Sequence, residues 1–237
     1  MPKPISKRLY ILLGSLFIAP LIILYSACQF HKAPVPEEKP SLPKIRRLVV
    51  VGFLPAMSQW DEPDVVRSPV SGAVFFAEPV PQQAVNKMTA NLFERTVKDK
   101  RYDLISPGQA RGVYSSLVSS DMVLEEIEIL QKIGEAFSAN AVLIGYLYRW
   151  REREGTDFAV SRPASAAFDL YLIRPVDGAI LWKGRFDKTQ KALSENILDI
   201  DTFLKGQGRW MTVERLAEVG LGDLLGKLLE GERGEKD

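Results

Sequence analysis

The residue best placed to do chemistry in this chain is Cys28, the only cysteine among 237 residues, at the end of an uncharged run that begins at Leu9. It follows Leu24-Tyr25-Ser26-Ala27. Small side chains there let a peptidase approach the backbone, and the thiol can accept an acyl group. Other residue types that support catalysis are scattered. His31, the single histidine, is a linker side chain with no geometry for serving Ser115 or Ser119, so a Ser-His pair is not expected. Asp187, Asp199 and Asp201 are isolated acids, which read as surface charge rather than a metal site. Gly206-Gln207-Gly208 lacks the preceding strand and the third glycine of a nucleotide loop, and reads as a hinge. No catalytic residue, metal or cofactor is assigned, and the chain is expected not to be an enzyme. Two acids converging in one apolar pocket with raised pKa values would reverse that expectation.

The stretch before Cys28 sets the address. Lys3, Lys7 and Arg8 precede the apolar blocks Ile11-Leu12-Leu13, Leu16-Phe17-Ile18-Ala19 and Leu21-Ile22-Ile23-Leu24. A cationic head, an apolar middle and small residues before a break form a secretory signal. The head stays at the anionic inner leaflet while the apolar part enters hydrocarbon. Leu24-Tyr25-Ser26-Ala27-Cys28 resembles a bacterial lipobox, although Tyr25 stands where leucine is usual and Leu24 is displaced by one position. The resemblance implies a lipoprotein whose N-terminus is Cys28, carrying acyl chains such as palmitate. Each buried methylene contributes about 0.8 kcal/mol, and two or more chains attach stably. Left uncleaved, the run is long enough for a single-pass anchor, which needs about 20 apolar residues. Pro20 and Gly14 weaken that helix without forbidding it. Gln29 is not the aspartate that retains enterobacterial lipoproteins at the inner membrane. With the resemblance, this favours the outer membrane, with the domain in the periplasm.

Composition narrows the rest. Lys and Arg number 31 against 30 Asp and Glu, a net charge of +1 with signs interspersed, so no basic field invites nucleic acid. One cysteine forms no disulfide within the chain and no thiolate metal site, so the fold rests on its apolar core. Residues 1–27 read as the signal, 28–45 as a tether, 46–230 as one domain and 231–237 as a frayed tail. Pro34, Pro36, Pro40 and Pro43 among charged residues favour an extended tether. At roughly 3.1 Å per residue it reaches at most about 50 Å.

The spacing of apolar residues predicts strands at Leu48–Leu54, Tyr102–Ile105, Ala141–Trp150, Phe168–Ile173 and Ile180–Phe186. The third is the most apolar and is expected at the centre of the sheet. On the last strand, Ile180, Trp182 and Phe186 are expected on one face. Helices are predicted over Gln82–Lys100, from Pro107 through Leu117, over Val123–Phe137, from Ser194 to Leu204, and after Thr212. Val85, Met88, Leu92 and Val97 form the stripe of the first. Ser106, with Pro107 and Gln109 behind it, forms a capping box, and Ser119-Ser120-Asp121 is a second capping cluster. Glu125, Glu126 and Glu128 read as a solvated face. This order gives an α/β domain: a mixed sheet of about five strands, an antiparallel C-terminal meander, and helices packed on it. Ala56 to Pro81 has no helical period and carries Trp60, Phe75 and Phe76 among prolines. Either its phenylalanines fold into the core as an edge strand, or these three aromatics form a contact patch for a partner or lipid.

Val80-Pro81-Gln82-Gln83-Ala84, Ala139-Asn140-Ala141-Val142-Leu143-Ile144-Gly145, and Asp169-Leu170-Tyr171-Leu172-Ile173 with Asp177-Gly178-Ala179-Ile180-Leu181 resemble the periplasmic α/β domain of the curli-secretion lipoprotein group. The amino-terminal domain of the Tol-system β-propeller protein and the lipoprotein activators of penicillin-binding proteins look similar in fold. The resemblance spans residues 46–190 and implies an envelope lipoprotein that binds another envelope protein or self-associates. It carries no catalytic residue. A subunit of an envelope secretion assembly is the alternative, and an uncleaved anchored protein with an unrecognised enzymatic site is another. A pore is not expected, because the charged connection Arg151–Pro163 is too short for two spanning strands of about 9–11 residues each.

Overall fold

The computed structural model describes residues 42–119, 123–156, 160–190 and 210–233. Cys28 and its signal, the predicted helix from Ser194, Asp199, Asp201, the Gly206–Gly208 hinge and Ser120-Asp121 lie outside the described residues.

Nine strands and four helices follow in chain order among the described residues: β1 (Arg47–Pro55), β2 (Asp64–Arg67), β3 (Val74–Ala77), α1 (Gln82–Lys98), β4 (Asp103–Ile105), α2 (Pro107–Val118), α3 (Glu126–Ala136), β5 (Ala141–Arg151), β6 (Glu154–Gly155), β7 (Val160–Arg162), β8 (Ser165–Arg174), β9 (Ala179–Thr189) and α4 (Val213–Arg233). Five of the strands form one sheet in the order β4-β1-β5-β8-β9. β1 runs parallel to β4 and β5, while β5, β8 and β9 form an antiparallel meander. The mixed α/β sheet and the central place of Ala141–Arg151 follow the sequence reading. In the charged connection after β5, β6 and β7 pair as a small ribbon.

The sheet is covered on both faces, which is why β1 and β5 read as continuous apolar runs instead of alternating ones. Leu48, Val50, Phe53, Leu143, Phe168 and Leu170 pack with residues of α1 and α4. Val49, Val51, Val142, Ile144 and Tyr146 pack on the other face with residues of α2, α3 and β3. A bulge between Val50 and Gly52 bends β1 where it meets α1. Gly52 has φ +92, and a Cβ there would meet the Thr89 side chain at 2.4 Å. That close approach lets Thr89 Oγ1 accept from the Phe53 N–H at 2.9 Å.

Four local readings are corrected. Val97 is 45% exposed, because Ala84, Val85, Met88, Thr89, Leu92 and Thr96 complete the buried stripe of α1 without it. α3 starts at Glu126, later than the sequence suggests, with the Glu125 N–H donating to the Glu128 carboxylate at 2.9 Å. Ser119 instead ends α2, its hydroxyl donating to the Ser115 carbonyl. On β9 a bulge changes the register between the Trp182 and Ile180 pairs, so Ile180 shares the face of Ile173, opposite Trp182. The Ser106–Gln109 capping box and the Thr212 cap of α4 form as expected. Leu42 and Ile45, placed in the tether by composition, are buried in the core.

Candidate functional site

Residues 56–81, which show no helical period, fold back as a two-stranded antiparallel ribbon pairing Val65 with Phe76 and Val66 with Phe75. β-branched residues favour the strands, and Gly72 supplies the positive φ of the turn between them. Side chains alternate along each strand, so the ribbon has two faces. Phe75 and Ala77 turn inward and are buried, with Val66 partly buried beside them. Val65, Val74 and Phe76 turn outward.

The three aromatic contact residues expected from sequence are thus split. Trp60 is 85% exposed and Phe76 46%, whereas Phe75 is 1% exposed. Phe75 leaves the expected contact set, because pairing with Val66 points its ring at the sheet. Trp60 sits in a turn where Asp61 Oδ2 accepts from the Ser58 N–H at 2.8 Å and Ser58 Oγ accepts from the Trp60 N–H at 3.3 Å.

The inner face is held firmly. The Phe75 ring stacks on Tyr148, with centroids 3.8 Å apart and planes 5° from parallel. Arg185 places its guanidinium 4.0 Å from the Phe75 centroid and donates to the Val74 carbonyl at 3.0 Å. Buried Arg149 donates to the Phe76 carbonyl at 3.0 Å, to Ser165 Oγ at 2.7 Å and to Asp187 at 2.5 Å. Asp187, considered above for a metal, is an ion-pair partner of both arginines. The Glu78 N–H donates to the Tyr148 carbonyl at 2.8 Å. The arginine bonds are charge-assisted and so stronger than neutral ones. They fix the ribbon's backbone and leave its outer face unengaged by them.

Beneath the ribbon lies a carboxylate held by phenols, and a second such set sits at the start of α3. Asp169, 1% exposed, accepts through Oδ2 from Tyr148 at 2.9 Å and Tyr171 at 2.6 Å. Tyr171 gives its one proton to Asp169, so the hydroxyls of Ser68 and Ser71, 2.9 and 2.5 Å from its oxygen, donate to it. Burial pushes the Asp169 carboxyl above its ordinary range, against the opposing pull of its hydroxyl donors. Burial and the Asp169 carboxylate push the Tyr171 phenol up to about 12. Burial raises Tyr148 as well, with Asp169 adding to it. Glu126, read from sequence as solvated, instead accepts from Tyr146 at 2.6 Å and Tyr114 at 3.3 Å. Both phenols are pushed up, first by burial and then by Glu126. Asp169 is closed off from solvent, so this set orders the seat of the ribbon.

Sequence reasoning missed Asp169, Glu126, Arg149 and Arg185. One signal was available for Asp169, a single acid between Phe168 and Leu170 in an otherwise apolar strand. Among the described residues no group of three or more His, Cys, Asp or Glu is placed to hold a metal ion. No described helix is long and apolar enough to cross a membrane.

No family model matches the chain, and no curated relative does. Solved structures give low-identity likenesses. The PelC dodecamer of Paraburkholderia phytofirmans is 16% identical with TM-score 0.40, over 79% of this chain and 92% of that one. Lipoprotein GNA1162 of Neisseria meningitidis is 14% identical with TM-score 0.38, over 70% and 94%. The C-terminal domain of Escherichia coli LpoB is 15% identical with TM-score 0.33, over 62% and 86%. At these scores the likenesses assign no activity and no partner to this chain.

Proposed function

We propose that this protein is a membrane-tethered binding module of the bacterial envelope that recognises another envelope protein through the outer face of the β2–β3 ribbon. One observation carries the reading: Val65, Val74 and Phe76 are exposed on the outer face of a ribbon whose backbone is fixed from below, at 60, 44 and 46%, and Trp60, in the turn that precedes β2, is 85% exposed. Aromatic anchors on a preorganised element lose little entropy on binding, and such residues dominate interface energetics. Asp61, Glu62 and Asp64, in and just before β2, line an open hollow of about 540 Å³ together with Val66 of the ribbon's inner face. The partner that fits is a protein with an apolar pocket flanked by basic residues. Lipidation at Cys28, on the lipobox resemblance, would hold the module at the outer membrane facing the periplasm.

The test is in-cell crosslinking of the full chain with identification of the captured proteins, repeated for Trp60→Ala and Phe76→Ser. Loss of an exposed anchor should weaken capture by more than about 1 kcal/mol, roughly fivefold, without moving the thermal midpoint. Capture unchanged by both substitutions overturns the assignment of the surface. Capture of this chain alone would instead favour the self-assembling alternative.

A further inference from the structure

On the opposite face of the sheet, α1 and α4 leave a gap. Between them lies a cavity of about 240 Å³, floored by Leu48, Leu143 and Leu172 and walled along α4 by Leu225, Gly226 and Leu228. The lining stretch of α4 runs from Gly222 to Leu229, about 10 Å at 1.5 Å per residue. The space exceeds the roughly 150 Å³ that stays dry and takes up benzene in an engineered apolar cavity. It falls below the roughly 300 Å³ at which drug-sized sites begin. A slim, apolar occupant fits, and a broad polar one does not.

Gly226 is the independent observation. Inside a helix, glycine costs about 1 kcal/mol relative to alanine. Another glycine of α4 has a packing reason, since a Cβ at Gly220 would meet the Phe186 ring at 2.5 Å, while one at Gly222 would come within 3.1 Å of the movable tip of Arg95. At Gly226 a Cβ would meet nothing within 4 Å. The helix bears that cost with no packing reason in the chain's own atoms, and the space so left belongs to the cavity.

The charge at one end is positive. Arg95 lies against Gly222, and its Nε makes a long hydrogen bond of 3.4 Å to Asn91 Oδ1. Asp99, the other charged residue of the lining, is held by Arg101 through both carboxylate oxygens, one at 2.6 Å. A guanidinium suits bidentate binding of a carboxylate.

We propose that this slot binds a medium-chain fatty carboxylate, its alkyl chain on the leucine floor between α1 and α4 and its head at Arg95. The test uses the full chain in phosphatidylcholine nanodiscs and a photoreactive diazirine analogue of octanoate, with adducts mapped by mass spectrometry. Adducts should fall on peptides containing Leu48 or Leu225–Leu229. Gly226→Leu fills the slot and should cut labelling at least about tenfold, while the thermal midpoint holds or rises. Gly226→Ala should cut it less, which serves if the larger side chain impairs folding. Arg95→Gln should weaken competition by octanoate several-fold but leave competition by methyl octanoate unchanged. Adducts elsewhere, labelling undiminished in both Gly226 variants, or labelling by a photoreactive phosphatidylcholine in place of the fatty acid overturns the proposal.

Discussion

Asp169 shows at the scale of one residue how burial and hydrogen bonding compete. Two phenols donate to its Oδ2, yet desolvation outweighs them and its pKa lies above the ordinary value. A carboxyl whose folded pKa exceeds its unfolded one adds stability that is fully present below the unfolded pKa. That stability is lost as pH rises through the folded one. We therefore expect wild type to lose stability relative to Asp169→Asn as pH rises from about 4 into the neutral range, read from urea midpoints of both chains. A gap that stays constant with pH would remove the buried charge from the account. Asp177 has the opposite sign. Its exposed pair with Arg174 holds its pKa below the usual range, so its contribution is lost as pH falls. The neighbouring phenylalanines separate in the same way. Phe75→Ala removes a ring stacked in the core and should cost about 3–5 kcal/mol of unfolding free energy. Phe76→Ala, on the outer face, should cost far less, and equal losses would contradict the two-faced ribbon.

The ribbon shows at the scale of elements what pattern reading can and cannot reach. The paired runs Val65-Val66 and Val74-Phe75-Phe76 are too short, and too interrupted by prolines, for periodicity to separate an edge strand from an exposed loop. β1, α1, α2, β5 and the meander were legible because each buries a long stripe or run whose period survives in the sequence. What escaped depends on cross-chain contacts. Glu126 looks like a solvated acid until Tyr146 and Tyr114 are brought to it, and Arg149 looks like a surface cation in Tyr148-Arg149-Trp150 until β3 covers it. Of the expected contact residues, Trp60 and Phe76 are exposed, but nothing in the local sequence separates Phe76 from Phe75. The inward turn of Phe75 needed the register. The clamp itself can be tested, since Arg185 is half-exposed and reaches only β3 and Asp187 among its described bonds. We expect Arg185→Ala to speed hydrogen exchange at the β2 and β3 amides while those of β1 and β5 keep their protection. Uniform acceleration would show that the ribbon unfolds only with the whole domain.

At the scale of the whole molecule, the question is where the self-sufficient unit begins. Ser41–Asp237 forms one compact unit, and the side chains explain why its boundary falls before the first strand. Leu42 and Ile45 are 5 and 9% exposed and belong to the cluster between the sheet and α4. A Cβ built at Gly231, near the end of α4, would lie 3.5 Å from Leu42. Asn140, at the start of β5, fixes the same segment by donating to the Lys44 carbonyl at 2.9 Å and accepting from the Arg46 and Arg47 N–H groups at 3.1 and 2.9 Å. Full burial of an aliphatic side chain contributes about 1.5–3 kcal/mol, an upper bound because the unfolded chain already hides some surface. A chain of residues 41–237 should therefore unfold cooperatively, with a midpoint unmoved by chelator or reductant. Beginning instead at residue 46 removes both side chains and the Lys44 carbonyl, and should cost roughly 2–5 kcal/mol in denaturant unfolding. Equal midpoints for the two chains would show that Leu42 and Ile45 rest on the domain without holding it. A large loss with chelator would reveal a metal contribution that the side-chain geometry does not account for.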